Sequence, residues 1–175
     1  MLRSAAYIME NIIQGVKRYC KPAQVGVDLT LKKVSYLKTP GAVYKDHTAV
    51  GKYEELAKQH FEDFDGWYLP QGTYMIELNE GCKLGVNDTA YVIMRSSLNR
   101  NGVSIQSAVW DPGYECENMN LRLTVDTPCG IYIEEDARVC QIIVAENEDT
   151  VKYDGQFQGG GTHSKYQQHG ASIQM

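Results

Sequence analysis

The sequence predicts an all-β fold, a barrel or a sandwich, with one N-terminal helix. Three observations carry that expectation. Short runs rich in β-branched and aromatic residues recur between turn signals from residue 73 onward. No Val-rich strands alternate with helices in the βαβ manner. The length of 175 residues favours one domain built on one core.

The elements follow in chain order. Ala5, Ile8, Met9, Ile12, Ile13 and Val16 stand at helical spacing, with Ser4 as candidate cap, so a helix over residues 4–19 packed on the core is expected. Residues 24–31 alternate and read as a strand, with Asp28 in its middle. Residues 38–66 are the least regular part, with Pro40-Gly41, Gly51 and a short helical candidate over 53–61. They read as an insertion of loop or helix over a β scaffold. His47 and His60 lie there without metal-ligand spacing and are expected at the surface.

Leu69-Pro70-Gln71-Gly72 signals a turn. Strands are expected over 73–78, 82–84, 89–94, 120–125, 130–133 and 139–144, with turns at Glu80-Gly81 and Asn87-Asp88 and a turn candidate at Asn101-Gly102. The barrel domain therefore spans residues 1–152. Residues 153–175 change character: glycines are interleaved with Gln and Tyr, and there is little to bury. Such a tail is mobile alone. It is either a disordered end or a lid that orders over a bound molecule, with Tyr153, Gln156, Phe157, Gln158, Lys165, Tyr166 and Gln167 as ligand groups.

Composition narrows the function. Hydrophobic content of 43% and charged content of 22% are ordinary for a soluble domain. A net charge of -5 argues against general affinity for nucleic acid, which needs clustered Lys and Arg, but not against a nucleotide held by a few local cations. Five cysteines without Cys-x-x-Cys spacing argue against a disulfide framework or structural zinc and fit a reducing cytoplasm. No apolar run spans a membrane, and no signal-peptide pattern is seen.

Several chemistries lack their motifs. The Walker phosphate loop, the dinucleotide glycine fingerprint, the Gly-x-Ser-x-Gly elbow and His-Glu-x-x-His are missing. Pro128-Cys129 is followed by Gly130, Ile131 and Tyr132, which fails the zinc nucleobase deaminase signature. What remains lies between Met94 and Glu117. Arg95 offers a planar fork for phosphate oxygens. Ser96 and Ser97 offer hydroxyls and N–H groups at a turn, a candidate anion nest. Asp111, before Pro112-Gly113, can orient a water or hold a sugar hydroxyl, and Tyr114 can lie against a sugar. Singly, each reads as an ordinary surface, turn or core residue; the joint pattern points to a small phosphorylated ligand.

That pattern resembles the superfamily of trimeric dUTP diphosphatases and dCTP deaminases, over most of the chain. Val25-Gly26-Val27-Asp28-Leu29 is similar to the first family motif, and Arg95-Ser96-Ser97-Leu98, with Arg100 and Gly102 behind it, to the second. Ala108-Val109-Trp110-Asp111-Pro112-Gly113-Tyr114 is similar to the third and Ala137-Arg138-Val139-Cys140-Gln141 to the fourth. The tail resembles that of the deaminases. Met94 and Cys116 depart from the family, which has a small residue or Pro and a Gly there.

The resemblance implies a distorted jelly-roll barrel, assembled as a homotrimer with active sites between subunits. Arg95, Ser96, Ser97, Arg100 and Gln141 would serve the phosphates, and a hairpin over 102–114, with Val109, would hold the pyrimidine through its main chain. Tyr114 would pack on the deoxyribose, and Tyr153, Phe157, Gln158 and Lys165 would close over the nucleotide, with Phe157 the candidate to stack on the base. Asp111 would orient the attacking water. Magnesium would bridge the phosphates, with Asp28 at most a water-mediated partner.

Family deaminases carry a catalytic Glu on the strand after the third motif. Here Leu121 or Arg122 takes that position, depending on register, and neither relays a proton at neutral pH. The expectation is therefore a magnesium-dependent dUTP diphosphatase. The alternatives are a dCTP deaminase, perhaps bifunctional, and a non-catalytic nucleotide-binding regulatory protein using residues 38–66 as a partner surface.

Overall fold

The structure, a computed structural model, describes residues 1–148, 151–155 and 157–159. Strands dominate it, and the largest sheet is a nearly closed barrel. The chain opens with helix α1 (Ala5–Asn11), capped by the Ser4 hydroxyl, which accepts from the Tyr7 N–H at 3.2 Å. The helix is shorter than the apolar spacing predicted. Ile13 and Gln14 leave it to form β1 (Ile13–Gln14) against Cys82 and Gly81, and Gly15 then turns the chain at a φ of 68°. Pairing to a sheet edge overrides helical spacing here.

Next come β2 (Lys21–Pro22) and the long β3 (Val27–Leu37), whose first five residues are all buried. Residues 38–66 are not helical over 53–61. They form β4 (Ala42–Val43), β5 (Thr48–Ala49), β6 (Tyr53–Glu55) and β7 (Gln59–His60). β6 pairs with the free end of β3, Tyr53 opposite Leu37, so an open backbone edge decides the conformation of this segment. His47 and His60 are exposed beside Asp46 and Asp65, at 2.7 and 2.9 Å, as surface residues.

The remaining elements are β8 (Asp65–Leu69), β9 (Gly72–Leu78), β10 (Gly81–Lys83), β11 (Asp88–Met94), α2 (Ser96–Arg100), β12 (Val103–Gln106), β13 (Glu115–Cys116), β14 (Asn120–Val125), β15 (Ile131–Glu134) and β16 (Arg138–Glu146). The main sheet runs β11-β16-β3-β9-β14-β12, with β2 and β6 also on β3. Its two ends approach through a bridge between Ala90 of β11 and Trp110, which exchange both backbone hydrogen bonds at 3.0 Å. β1-β10-β13 and β15-β8-β7 form smaller sheets. The core is filled by Val27, Leu29, Leu31, Ile76, Leu78, Leu123, Ile142 and Val144, the inward residues of the central strands.

Two local expectations change near the site. Arg95-Ser96-Ser97 does not lie on a nest-forming turn: Arg95 is the N-cap of α2, and Ser96 and Ser97 begin it. The turn expected at Asn101-Gly102 is present, but it closes α2 rather than a β-hairpin. Gly102, at a φ of 68°, ends α2 by donating to the Asn99 carbonyl at 3.1 Å. β12 then pairs with β14, Val103 opposite Val125, so residues 107–119 form a long connection between them rather than the return of a hairpin closed at residue 114.

Candidate active site

Two groups of side chains stand apart on the barrel. The first surrounds Asp28, which is 6% exposed on β3. Its Oδ2 lies 3.2 Å from Arg95 Nε and 3.1 Å from Arg138 Nη1, and its Oδ1 accepts from Gln141 Nε2 at 3.2 Å. Arg95 Nη1 also donates to the Arg138 carbonyl at 3.3 Å. β16 sits between β3 and β11, with Gln141 opposite Asp28 on one side and Ile93 on the other, so sheet order gathers the three motifs. Two guanidiniums against one carboxylate leave the cluster positive. Both are about one-third exposed and keep donors for an external anion. Ser96 and Ser97, exposed at the start of α2, add N–H groups without partners inside the helix.

The second group lines a cavity of about 480 Å³ that includes Gln106, Val109, Trp110, Asp111, Tyr114, Arg122, Tyr153 and Phe157. Trp110 is its anchor: it is buried, bridged to Ala90, and its indole N–H donates to Ser107 Oγ at 2.7 Å. Asp111 follows directly and is exposed, with its carbonyl accepting from the Tyr114 N–H at 3.1 Å across the Pro112-Gly113 turn. The Tyr114 ring meets Trp110 edge-on at 5.3 Å and Tyr153 at 5.6 Å. Burial, with neighbouring Cys116 and Cys82, raises the Tyr114 phenol well above its ordinary range, so it stays a neutral surface for a ligand.

The described part of the tail docks along this turn. Tyr153 N–H donates to Pro112 at 2.7 Å, Gln158 Nε2 to Gly113 at 3.0 Å and Gly159 N–H to Glu115 at 2.9 Å. These bonds bring Tyr153 and Phe157 to the cavity wall. Lys165, Tyr166, Gln167 and Gln156 lie outside the described residues. Arg100 ends α2, exposed, and belongs to neither group.

Sequence reasoning missed two cations. Arg138 and Gln141 would face opposite sides of a regular strand. A register shift between Arg138 and Cys140 brings both to Asp28, and only the neighbouring strand reveals it. The second is Arg122. Leu121 is only 2% exposed while Arg122 is exposed, so strand alternation turns Arg122 outward, and both residues line the cavity. Glu115 and Glu117 do not line the cavity, and Glu115 pairs with Lys83 at 3.2 Å.

Among the described residues no three His, Cys, Asp or Glu side chains converge as a metal cage. Asp28, the sequence candidate for water-mediated metal contact, has both oxygens engaged by Arg95, Arg138 and Gln141. This donor set fits a magnesium ion only where nucleotide phosphates and water supply most of its ligands, which is that ion's habit.

The fold defines a β-barrel class with a cation cluster and a separate aromatic-lined cavity, and similarity to known proteins specifies it. A family model for dCTP deaminase-like proteins matches residues 4–147, and the chain belongs to that family. It is 29% identical over 164 residues to a probable deoxyuridine 5'-triphosphate nucleotidohydrolase of Methanosarcina acetivorans, covering 93% of each chain. It is 34% identical over 136 residues to the probable enzyme of that name from Archaeoglobus fulgidus, covering 77% of this chain and 78% of the relative. Among solved structures, a 2'-deoxycytidine 5'-triphosphate deaminase from Agrobacterium tumefaciens shares the fold, with a TM-score of 0.60 at 15% identity over 82% of this chain. The chain spans about half of that deaminase, 48% of its length. EIAV dUTPase also shares the fold, with a TM-score of 0.51 at 15% identity, covering 82% of this chain and 93% of that one.

Proposed function

We propose that the protein is a dUTP diphosphatase, converting dUTP to dUMP and pyrophosphate. The observation that carries this is the cavity's acid inventory. Among its described lining residues Asp111 is the single carboxylate, and Leu121 and Arg122, the two candidates for the position that a deaminase would fill with Glu, both line it without a carboxylate. The names of the relatives point the same way.

In this reading the deoxynucleoside enters the cavity beside Tyr114, Val109 and Phe157, while Arg95, Ser96, Ser97, Arg138 and Gln141 hold the phosphates. Asp111 orients a water and accepts hydrogen bonding from it as its oxygen attacks the α-phosphorus. The bond from that phosphorus to the bridging oxygen breaks and pyrophosphate leaves. Magnesium, held chiefly by the phosphates, would neutralise their charge and fix their geometry. Positioning and charge neutralisation supply most of the rate.

The assembly in this reading is a homotrimer. An extended chain advances about 16 Å from Ala90, bridged to Trp110, to Arg95. Asp111 and the phosphate cradle of one chain are thus widely separated, whereas a water on Asp111 must reach a phosphorus beside the cradle. A neighbouring copy closes that gap. The test is incubation with dUTP or dCTP and magnesium, measuring pyrophosphate and ammonia, alongside the solution mass. Pyrophosphate from dUTP without ammonia from dCTP is expected. Ammonia release overturns the hydrolase assignment, and tight dUTP binding without turnover replaces it with a regulatory one.

A further inference from the structure

Arg122 is an exposed residue of the cavity wall. On β14 it is opposite Gln106 of β12 and Met75 of β9, and all three residues line the cavity with Asp111 and Tyr114. Buried Leu121 and Leu123 flank it, so the strand fixes its direction. Among the described residues its guanidinium has no hydrogen-bond or ion-pair partner, unlike Arg95 and Arg138, which are spent partly on Asp28. A charged fork at the wall of an aromatic-lined cavity, unpaired among the described residues, is available to a ligand acceptor.

We propose that Arg122 is a specificity residue that selects a 4-oxo pyrimidine over a 4-amino one. The inference rests on the reading that this cavity takes a deoxypyrimidine. The phosphates have donors of their own, the cluster around Asp28, which does not line the cavity within one chain. The remaining ligand acceptors are on the base and sugar. A guanidinium has donors only and stays charged. The uracil 4-oxygen accepts from it, while the cytosine 4-amino group is itself a donor and cannot pair with the guanidinium. Gln106, opposite it on β12, carries an amide that turns to offer either a donor or an acceptor, and the Asn120 amide already donates to the Asn118 carbonyl at 3.2 Å, so neither enforces the choice. Arg122 thereby turns the cavity toward uracil.

The test is calorimetric binding of dUMP and dCMP to the full-length wild type, Arg122→Gln and Arg122→Lys, with steady-state dUTP hydrolysis in parallel. Inorganic triphosphate inhibition reports the phosphate cradle. The wild type is expected to prefer dUMP. Arg122→Gln is expected to lose roughly tenfold of that preference, with triphosphate inhibition unchanged, and Arg122→Lys, which keeps donors without the fork, to fall between. An Arg122→Gln protein with wild-type preference overturns the inference and, where the wild type still hydrolyses dUTP, leaves the enzyme assignment standing. A wild type that neither binds dUMP nor hydrolyses dUTP overturns both.

Discussion

Asp28 of β3 holds Arg95, just beyond the end of β11, at 3.2 Å, although β16 lies between their strands. The contact reaches across a whole strand because β16 contributes Arg138 and Gln141 to the same carboxylate. Asp28 thus aims two cations that would otherwise repel and rotate. Replacing it by Asn substitutes an amide N–H₂ for an oxygen facing donors. Asp28→Asn is expected to lower stability by roughly 1–3 kcal/mol, read by urea melts, and to raise KM for dUTP more than it lowers kcat. A variant with wild-type stability and KM would detach Asp28 from the cradle.

Asp111 has the opposite environment: it is exposed, and its carboxylate has no protein donor among the described residues. Nothing in the fold depends on its charge. Asp111→Asn should therefore keep nucleotide affinity and thermal stability while kcat falls about 10²- to 10⁴-fold. If sites are shared between subunits as proposed, mixing it with Arg95→Ala and exchanging subunits should restore part of the activity, because some sites then pair an intact Asp111 with an intact Arg95. Failure to complement, with exchange verified by mass, places both residues in one subunit's site.

Much of the barrel was legible because its strands alternate and are punctuated by turns; the segments over 73–78, 89–94 and 120–125 lie on β9, β11 and β14. The cavity residues Val109, Asp111, Tyr114, Tyr153 and Phe157 were legible for another reason, their dense local motif and glycine-rich tail. What escaped depends on neighbours. Residues 53–61 carry a pattern compatible with a helix, and only the free edge of β3 makes Tyr53–Glu55 a strand. Arg138 joins Gln141 through a bulge that leaves no mark in composition. Leu121 and Arg122 differ by one residue of register, and only the packing of β14 shows that Leu121 is buried and Arg122 exposed.

Gly113 tests how tightly the Asp111 turn is built. It has a φ of 76°, and a Cβ there would lie 2.4 Å from Lys152 Cγ. Its carbonyl also receives Gln158 of the docked tail at 3.0 Å. Gly113→Ala meets both backbone strain and a side chain, of which the flexible Lys152 can yield. The backbone term remains, at about 1 kcal/mol. The expected result is a modest loss of stability with a larger loss of kcat/KM, as Asp111 and Tyr114 shift and the tail loosens. A Gly113→Ala, Lys152→Ala double variant should recover little. Full recovery would assign the defect to side-chain contact alone.

Glu80 supplies a pH dependence that is separate from catalysis. It is fully buried, accepting from the Thr30 N–H at 2.8 Å and the Thr30 hydroxyl at 2.7 Å, and that hydroxyl accepts from Asn79 at 2.9 Å. Burial raises the Glu80 carboxyl above its ordinary range; the Thr30 hydrogen bonds oppose this, and nearby Asp136 adds to it. The folded protein then binds this proton more tightly than the unfolded chain. Its stabilising contribution is complete below the unfolded pKa and is lost as pH rises through the folded one. Glu80→Gln, an uncharged isostere, removes that loss. Melting temperatures of the two proteins should agree most closely in acid, and the variant should gain relative to the wild type as pH rises from about 4 toward neutrality. A gap that is constant with pH, or that narrows on the way to neutrality, would show that Glu80 is held as a carboxylate by Thr30 rather than penalised by its burial.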